Sequence, residues 1–182
     1  MGNRILAAGP AEAVRIPLGT PVIDTSGATM LPGLIELHAH LLLVGHGDIQ
    51  GWFTWLEKNE ARYSAESVMA LSARQLLSAG ITSAIDLGGP LRESTSIRDR
   101  ISRGEIPGPR LSVSGPWLTS KAAIFPAKYQ LIVDTPEEAR RATEANISGG
   151  RCQGSCRING FSYAAFFNWI SAVLFASPLL SI

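Results

Sequence analysis

Apolar residues recur at helical spacing in the middle of the chain, and residues 64–79 give its clearest helix. Val68, Leu71 and Leu76 fall near one face. Ser64 can cap the first turn, and Gly80 can end the last one. These signals predict an amphipathic helix between Ser64 and Gly80.

Other segments read as short buried strands or as further helices. A continuous apolar run of four to six residues bounded by Gly or Pro is typical of a buried strand. A cap residue before a periodic segment is typical of a helix. The predicted strands are residues 34–37, 81–86 and 111–114, and the predicted helices are residues 94–103, capped by Ser94, and 135–149, capped by Thr135. Three successive strand-then-helix units predict parallel βαβ construction and an α/β fold.

Residues 1–30 have a different pattern, with short strands and turns. Residues 4–8, 14–16 and 21–24 are the predicted strands, and Ser26 and Gly27 form a predicted turn. Farther along, Trp52 and its aromatic neighbours stand at roughly helical spacing, which favours helix packing over a ligand cage.

Two histidines, His38 and His40, close the first apolar run of the α/β region. Side chains at positions i and i+2 of a strand point to the same face, so both imidazoles would project together. Zinc favours nitrogen ligands of this kind. A pair of histidines without metal is the alternative that this spacing leaves open.

The string around this pair, LPGLIELHAH at residues 31–40, resembles the amidohydrolase superfamily, including its imidazolonepropionases and Xaa-Pro dipeptidases. AGITSAIDLGGP at residues 79–90 and GEIPGPRLSVSGPWLT at residues 104–119 are similar to later parts of the same family. The resemblance implies a partial TIM (β/α)₈ barrel, about the first three βα units, preceded by the remnant of a small β-sandwich. It also implies hydrolysis of non-peptide or dipeptide-type C–N bonds in a small amide-type substrate.

The same resemblance makes His38 and His40 ligands of a divalent metal, with zinc as the expected ion. The remaining family ligands and the catalytic base have no counterpart in this sequence, so the catalytic residue stays unknown and this chain alone is expected to be inactive. His46 lies in a Gly-rich loop after the first strand, where it is either a substrate-side residue or an ordinary loop histidine. Asp86 ends a strand and is interpreted as structural, with lining of the site as the alternative.

The composition changes sharply after Glu144, beyond which there is no Asp, Glu or Lys. Together with the pattern of residues 1–30, this break divides the chain into three segments: a partial sandwich at residues 1–30, barrel units at residues 31–150, and a divergent apolar tail at residues 151–182. A shifted reading frame would explain the tail. The alternative is a non-catalytic binding or membrane-associated module that uses the tail. An anchor ranks below the frame shift, because Asn168 and Pro178 interrupt the apolar run.

Charge and cysteine content exclude several classes of protein. A net charge of +1 without a basic run gives no basis for binding nucleic acid. Two cysteines, Cys152 and Cys156, form no disulfide framework, so a reducing, cytoplasmic location is expected. A homo-oligomer or a second chain that completes the barrel is the expected kind of protein partner.

Overall fold

A computed structural model describes residues 4–44, 47–119 and 126–150 of this chain. By their internal contacts the residues fall into two units, divided between Pro32 and Gly33. His46 and the tail at residues 151–182 lie outside the described residues.

The first unit, described from residue 4 to residue 32, consists of turns and irregular backbone. The three short strands predicted there are absent from its described part, and the structure does not confirm a β-sandwich remnant. Isolated strands are unstable without a pairing partner and an apolar surface to cover. Ile5 and Ile23 are 88% and 86% exposed, so neither condition is met. The predicted turn at Ser26 and Gly27 is present, and Gly27 has a positive φ of 76°.

The second unit is an α/β arrangement with parallel strands. Its elements in chain order are β1 (Leu34–Ala39), α1 (Ile49–Lys58), α2 (Ala65–Ser78), β2 (Ile81–Asp86), α3 (Leu91–Ser102), β3 (Arg110–Val113), β4 (Trp117–Thr119), a 3₁₀ turn (Ala127–Tyr129), β5 (Gln130–Ile132) and α4 (Pro136–Gly150). Strands β1, β2 and β3 form one parallel sheet in that order, and β4 pairs with β5 in a second parallel sheet.

Helices α2 and α4 begin where the sequence predicts. The Ser64 hydroxyl accepts a hydrogen bond from the Ser67 N–H at 3.2 Å, and Gly80 follows the end of α2 with a φ of 85°. At α4, the Thr135 hydroxyl accepts from the Glu138 N–H, while the Glu138 carboxylate accepts from the Thr135 N–H. This reciprocal pair is a capping box, which satisfies donors that the helix itself cannot satisfy.

Helix α3 differs from its prediction at the N-terminus. It begins at Leu91 after Pro90, three residues before the predicted start. Ser94 therefore lies inside the helix, 1% exposed, and its hydroxyl donates to the Asp86 carboxylate instead of capping. Pro90 is the N-cap residue, with an extended ψ of 125°, and the buried contact of Ser94 with Asp86 outweighs the cap signal of that serine.

The core lies between the sheet and helices α1 to α3. It contains large side chains that are at most 2% exposed, namely Phe53, Leu56, Met69, Ile97 and Tyr129. The rings of Phe53 and Tyr129 pack with their centroids 5.0 Å apart. The predicted helical packing of the aromatic segment is confirmed by α1, which carries Phe53.

Strand β1 is less buried than its apolar sequence predicts. Leu34, Ile35 and Leu37 are 58%, 67% and 53% exposed. Among the described residues β1 pairs with β2 alone, and it is therefore an edge strand. The expectation of a buried strand is wrong here, because burial of a parallel strand requires neighbours that cover its faces.

None of the described helices is both long enough and apolar enough to cross a membrane.

Candidate metal centre

His38 and His40 come together at the carboxyl end of β1. Their Nε2 atoms are 3.1 Å apart, and their rings meet edge to face at 85° with centroids 4.9 Å apart. His38 is exposed, whereas His40, the first residue after the strand, is half-buried. The shared face that the spacing predicts is therefore present.

The separation of the two Nε2 atoms fits two ligands of one metal ion. Two nitrogens held at 2.0–2.1 Å in tetrahedral geometry around zinc are about 3.3 Å apart. The observed 3.1 Å is close to that value. It is also a hydrogen-bonding distance, which one neutral imidazole can satisfy by donating to the other.

The backbone on both sides of His40 is held by consecutive residues of the β2 end. The Leu87 N–H donates to the Ala39 carbonyl at 2.8 Å, and the Leu41 N–H donates to the Asp86 Oδ1 at 3.0 Å. The Leu43 N–H adds a turn bond to the His40 carbonyl at 3.1 Å. These bonds fix the peptides that precede and follow His40.

Asp86 is itself anchored within the protein, being 1% exposed. Its backbone carbonyl accepts from the Ser114 N–H at 3.0 Å, and its Oδ2 accepts from the Ser94 hydroxyl at 3.3 Å. Burial raises the pKa of Asp86 from 3.8 to about 7, although the hydrogen bonds from Leu41 and Ser94 act in the opposite direction. The structural interpretation of Asp86 agrees with these contacts.

An indole ring stands beside His40. The Trp117 ring centroid is 5.8 Å from that of His40, at an angle of 53°. Gly88 makes room for this indole, because a Cβ at Gly88 would lie 2.1 Å from the Trp117 ring, and its φ of 124° disfavours other residues. The one feature of the sequence that indicates this packing is the Gly88-Gly89 pair after β2. The sequence does not show which aromatic ring packs against it.

Further metal ligands are not found in the part of the chain that the structure describes. No group of three or more His, Cys, Asp or Glu side chains there is arranged to hold a metal ion. Glu36 accepts from the backbone N–H of His38 at 2.9 Å. The predicted pair of histidines is thus brought together, and the prediction for His46 stays untested.

Comparison with known proteins gives the context of this pair. The family model for the amidohydrolase family matches residues 29–151. A 5-methylthioadenosine/S-adenosylhomocysteine deaminase from Symbiobacterium thermophilum is 34% identical over 120 residues, which are 57% of this chain and 28% of that protein. This chain therefore spans less than a third of the curated relative that it matches.

Solved structures support the fold. An amidohydrolase structure superimposes with a TM-score of 0.60 at 23% identity, over 76% of this chain and 36% of that one. A molinate hydrolase gives a TM-score of 0.55 at 24% identity, over 78% of this chain and 31% of that one. The family match covers well over half of the sequence and includes both histidines and the whole three-stranded sheet. This chain belongs to the amidohydrolase family.

Proposed function

We propose that this chain carries part of the active site of a metal-dependent hydrolase that acts on C–N bonds of small molecules. His38 and His40 are two of its metal ligands, each through Nε2. The observation that carries this proposal is the 3.1 Å separation of those two nitrogens at the carboxyl end of a parallel strand. In (β/α)₈ barrels this is the end at which active sites lie, and a partial barrel is the architecture that we propose for β1 to β3.

A divalent metal, with zinc as the proposed ion, would supply an activated water and polarise the bond to be cleaved. The residues of this chain have the supporting tasks. His38 and His40 present their imidazoles, Trp117 packs beside the His40 ring, and the bonds to Asp86 and Leu87 fix the His40 backbone.

Family membership also supports a proposal for the substrate class. The deaminase relative is named for the removal of an amino group from a purine nucleoside derivative, which is hydrolysis of a C–N bond. We propose a small molecule with an amide-type or amino-substituted carbon as the substrate. A cytoplasmic location remains a prediction.

Metal binding by the purified 182-residue chain tests the assignment. Co²⁺ is titrated into the metal-free protein while the imidazole ¹⁵N resonances are recorded by NMR, and with only three histidines in the chain these signals are few to assign. Because Co²⁺ is paramagnetic, we expect the ¹⁵N resonances of two imidazoles to broaden or shift together, and we expect the H38A/H40A double variant to bind at least tenfold more weakly. Resonances of His38 and His40 that do not respond to Co²⁺ would refute the ligand assignment.

A matched control uses an acidic residue away from the pair. Glu66 on α2 forms an ion pair with Arg100 on α3 at 2.9 Å. The E66Q variant removes this carboxylate and should leave the Co²⁺ affinity unchanged.

A further inference from the structure

We infer that Asp86 is a positioning residue that sets the orientation of the His40 imidazole through the backbone of Leu41. This inference rests on the proposed function for its link to metal binding. Its geometric part concerns the protein alone.

Asp86 contacts the backbone beside His40 directly. Asp86 Oδ1 accepts from the Leu41 N–H, and that N–H belongs to the peptide that begins with the His40 carbonyl. The orientation of this peptide fixes the ψ angle of His40, and with it the position of the His40 Cα from which the imidazole projects. No side chain lies between Asp86 and that peptide.

Both residues of this hydrogen bond, Asp86 and Leu41, are held in place by buried contacts. Leu41 is 1% exposed, so its side chain is held in the core, and Asp86 is equally buried. Ser94 on α3 holds the other carboxylate oxygen of Asp86. A displacement of Asp86 would therefore be transmitted to His40 and would not be absorbed by solvent.

The orientation of the His40 imidazole affects its contacts with two neighbouring rings. One side of His40 is packed near Trp117 at 5.8 Å between centroids, and its Nε2 is 3.1 Å from that of His38. A rotation of His40 would alter both distances. Ligand pairs depend on such supporting contacts, and their loss weakens metal affinity about 10- to 100-fold.

The test compares D86A with D86N in the 182-residue chain. Alanine leaves the Leu41 N–H without its acceptor, whereas asparagine keeps an oxygen that can accept from Leu41 and an amide that can donate to Ser94. I97A is the matched control, because Ile97 is fully buried in the same helix as Ser94 and its truncation lowers stability. A merely structural role for Asp86 would make D86A and I97A alike in all measurements below.

The first measurement is made without metal, on the nuclear Overhauser contacts between the His40 imidazole and the Trp117 indole. We expect them to weaken in D86A and to persist in D86N and I97A. The second is Co²⁺ affinity, which should fall about tenfold in D86A and less than twofold in the other two variants. Unchanged ring contacts in D86A, or an equal affinity loss in I97A or D86N, would overturn the inference.

The two proposals can fail separately. If the unaltered chain binds no Co²⁺ while the ring contacts respond to D86A, the proposed function fails and the positioning role stands. If Co²⁺ binds to both histidines and D86A changes neither readout, the positioning role fails alone. Should D86A not fold, S94A takes its place, with a two- to threefold loss of affinity and weakened ring contacts expected, and unchanged values overturning the inference.

Discussion

Asp86 is expected to make this protein less stable as the pH rises, and D86N should remove that dependence. The folded protein raises the pKa of this carboxyl from 3.8 to about 7 because burial disfavours the charged form. Between these two values the folded state binds the proton more tightly than the unfolded chain does. The contribution of the protonated carboxyl to stability is therefore complete below pH 3.8 and is lost as the pH rises through about 7.

The magnitude follows from the interval between the two pKa values. At 1.36 kcal/mol for each pH unit, the free energy of unfolding should fall by about 4 kcal/mol between pH 4 and pH 8 through Asp86 alone. Small domains are typically stable by about 5–15 kcal/mol, so this loss is large. D86N carries no titrating group at this position and resembles the protonated acid in shape and hydrogen bonding.

Urea unfolding of the metal-free chain and of D86N, measured at each pH from 4 to 8, gives the two stability curves. Their difference cancels the other titrating groups. We expect the two proteins to be within about 1 kcal/mol at pH 4 and D86N to be more stable by about 4 kcal/mol at pH 8. A difference that stays constant over this range would refute the reasoning, since it would mean that Asp86 has the same pKa in the folded and unfolded states.

Three further predictions concern single contacts, each measured as a change in urea unfolding free energy. G88A should lose more than about 3 kcal/mol, because its Cβ would meet the Trp117 ring and its φ is strained, whereas G104A, with positive φ but open space, should lose about 1 kcal/mol. Equal losses would contradict the clash. F53A should lose about 3–5 kcal/mol as a core cavity, and a loss below 1 kcal/mol would show that Phe53 is not packed as described. S64A should lose about 1 kcal/mol of cap energy, and no loss would contradict the cap at α2.

The parts of the fold that could be predicted are those with local signals. Strand β2 occupies the predicted residues 81–86, and α2 lies within the predicted 64–79, since cap, periodicity and terminating glycine are all close in sequence. The short strands β4 and β5 were not predicted. Each has three residues, and what makes them strands is their pairing with each other, which no local pattern encodes.

The candidate site divides in the same way. The juxtaposition of His38 and His40 follows from strand alternation across two residues. The hydrogen bond from Leu41 to Asp86 joins residues 45 positions apart and depends on the parallel pairing of Ala39 with Asp86. Ser94 illustrates why such contacts cannot be predicted from neighbouring residues. Its short hydroxyl side chain suits a helix cap and equally suits a buried hydrogen bond to a carboxylate.

Strand β1 exposes both His38 and its apolar side chains. A strand in a closed barrel has a neighbour on each side, but β1 has one among the described residues, and its apolar side chains are more than half exposed. His38 lies on this strand and is exposed too, whereas His40 gains cover from Trp117. Both observations agree with the position of β1, which has a neighbouring strand on one side only among the described residues. A metal ion held by this pair would therefore remain largely solvated and weakly bound, and its affinity would depend on how firmly His40 is held, which is the contribution that Asp86 and Leu87 make.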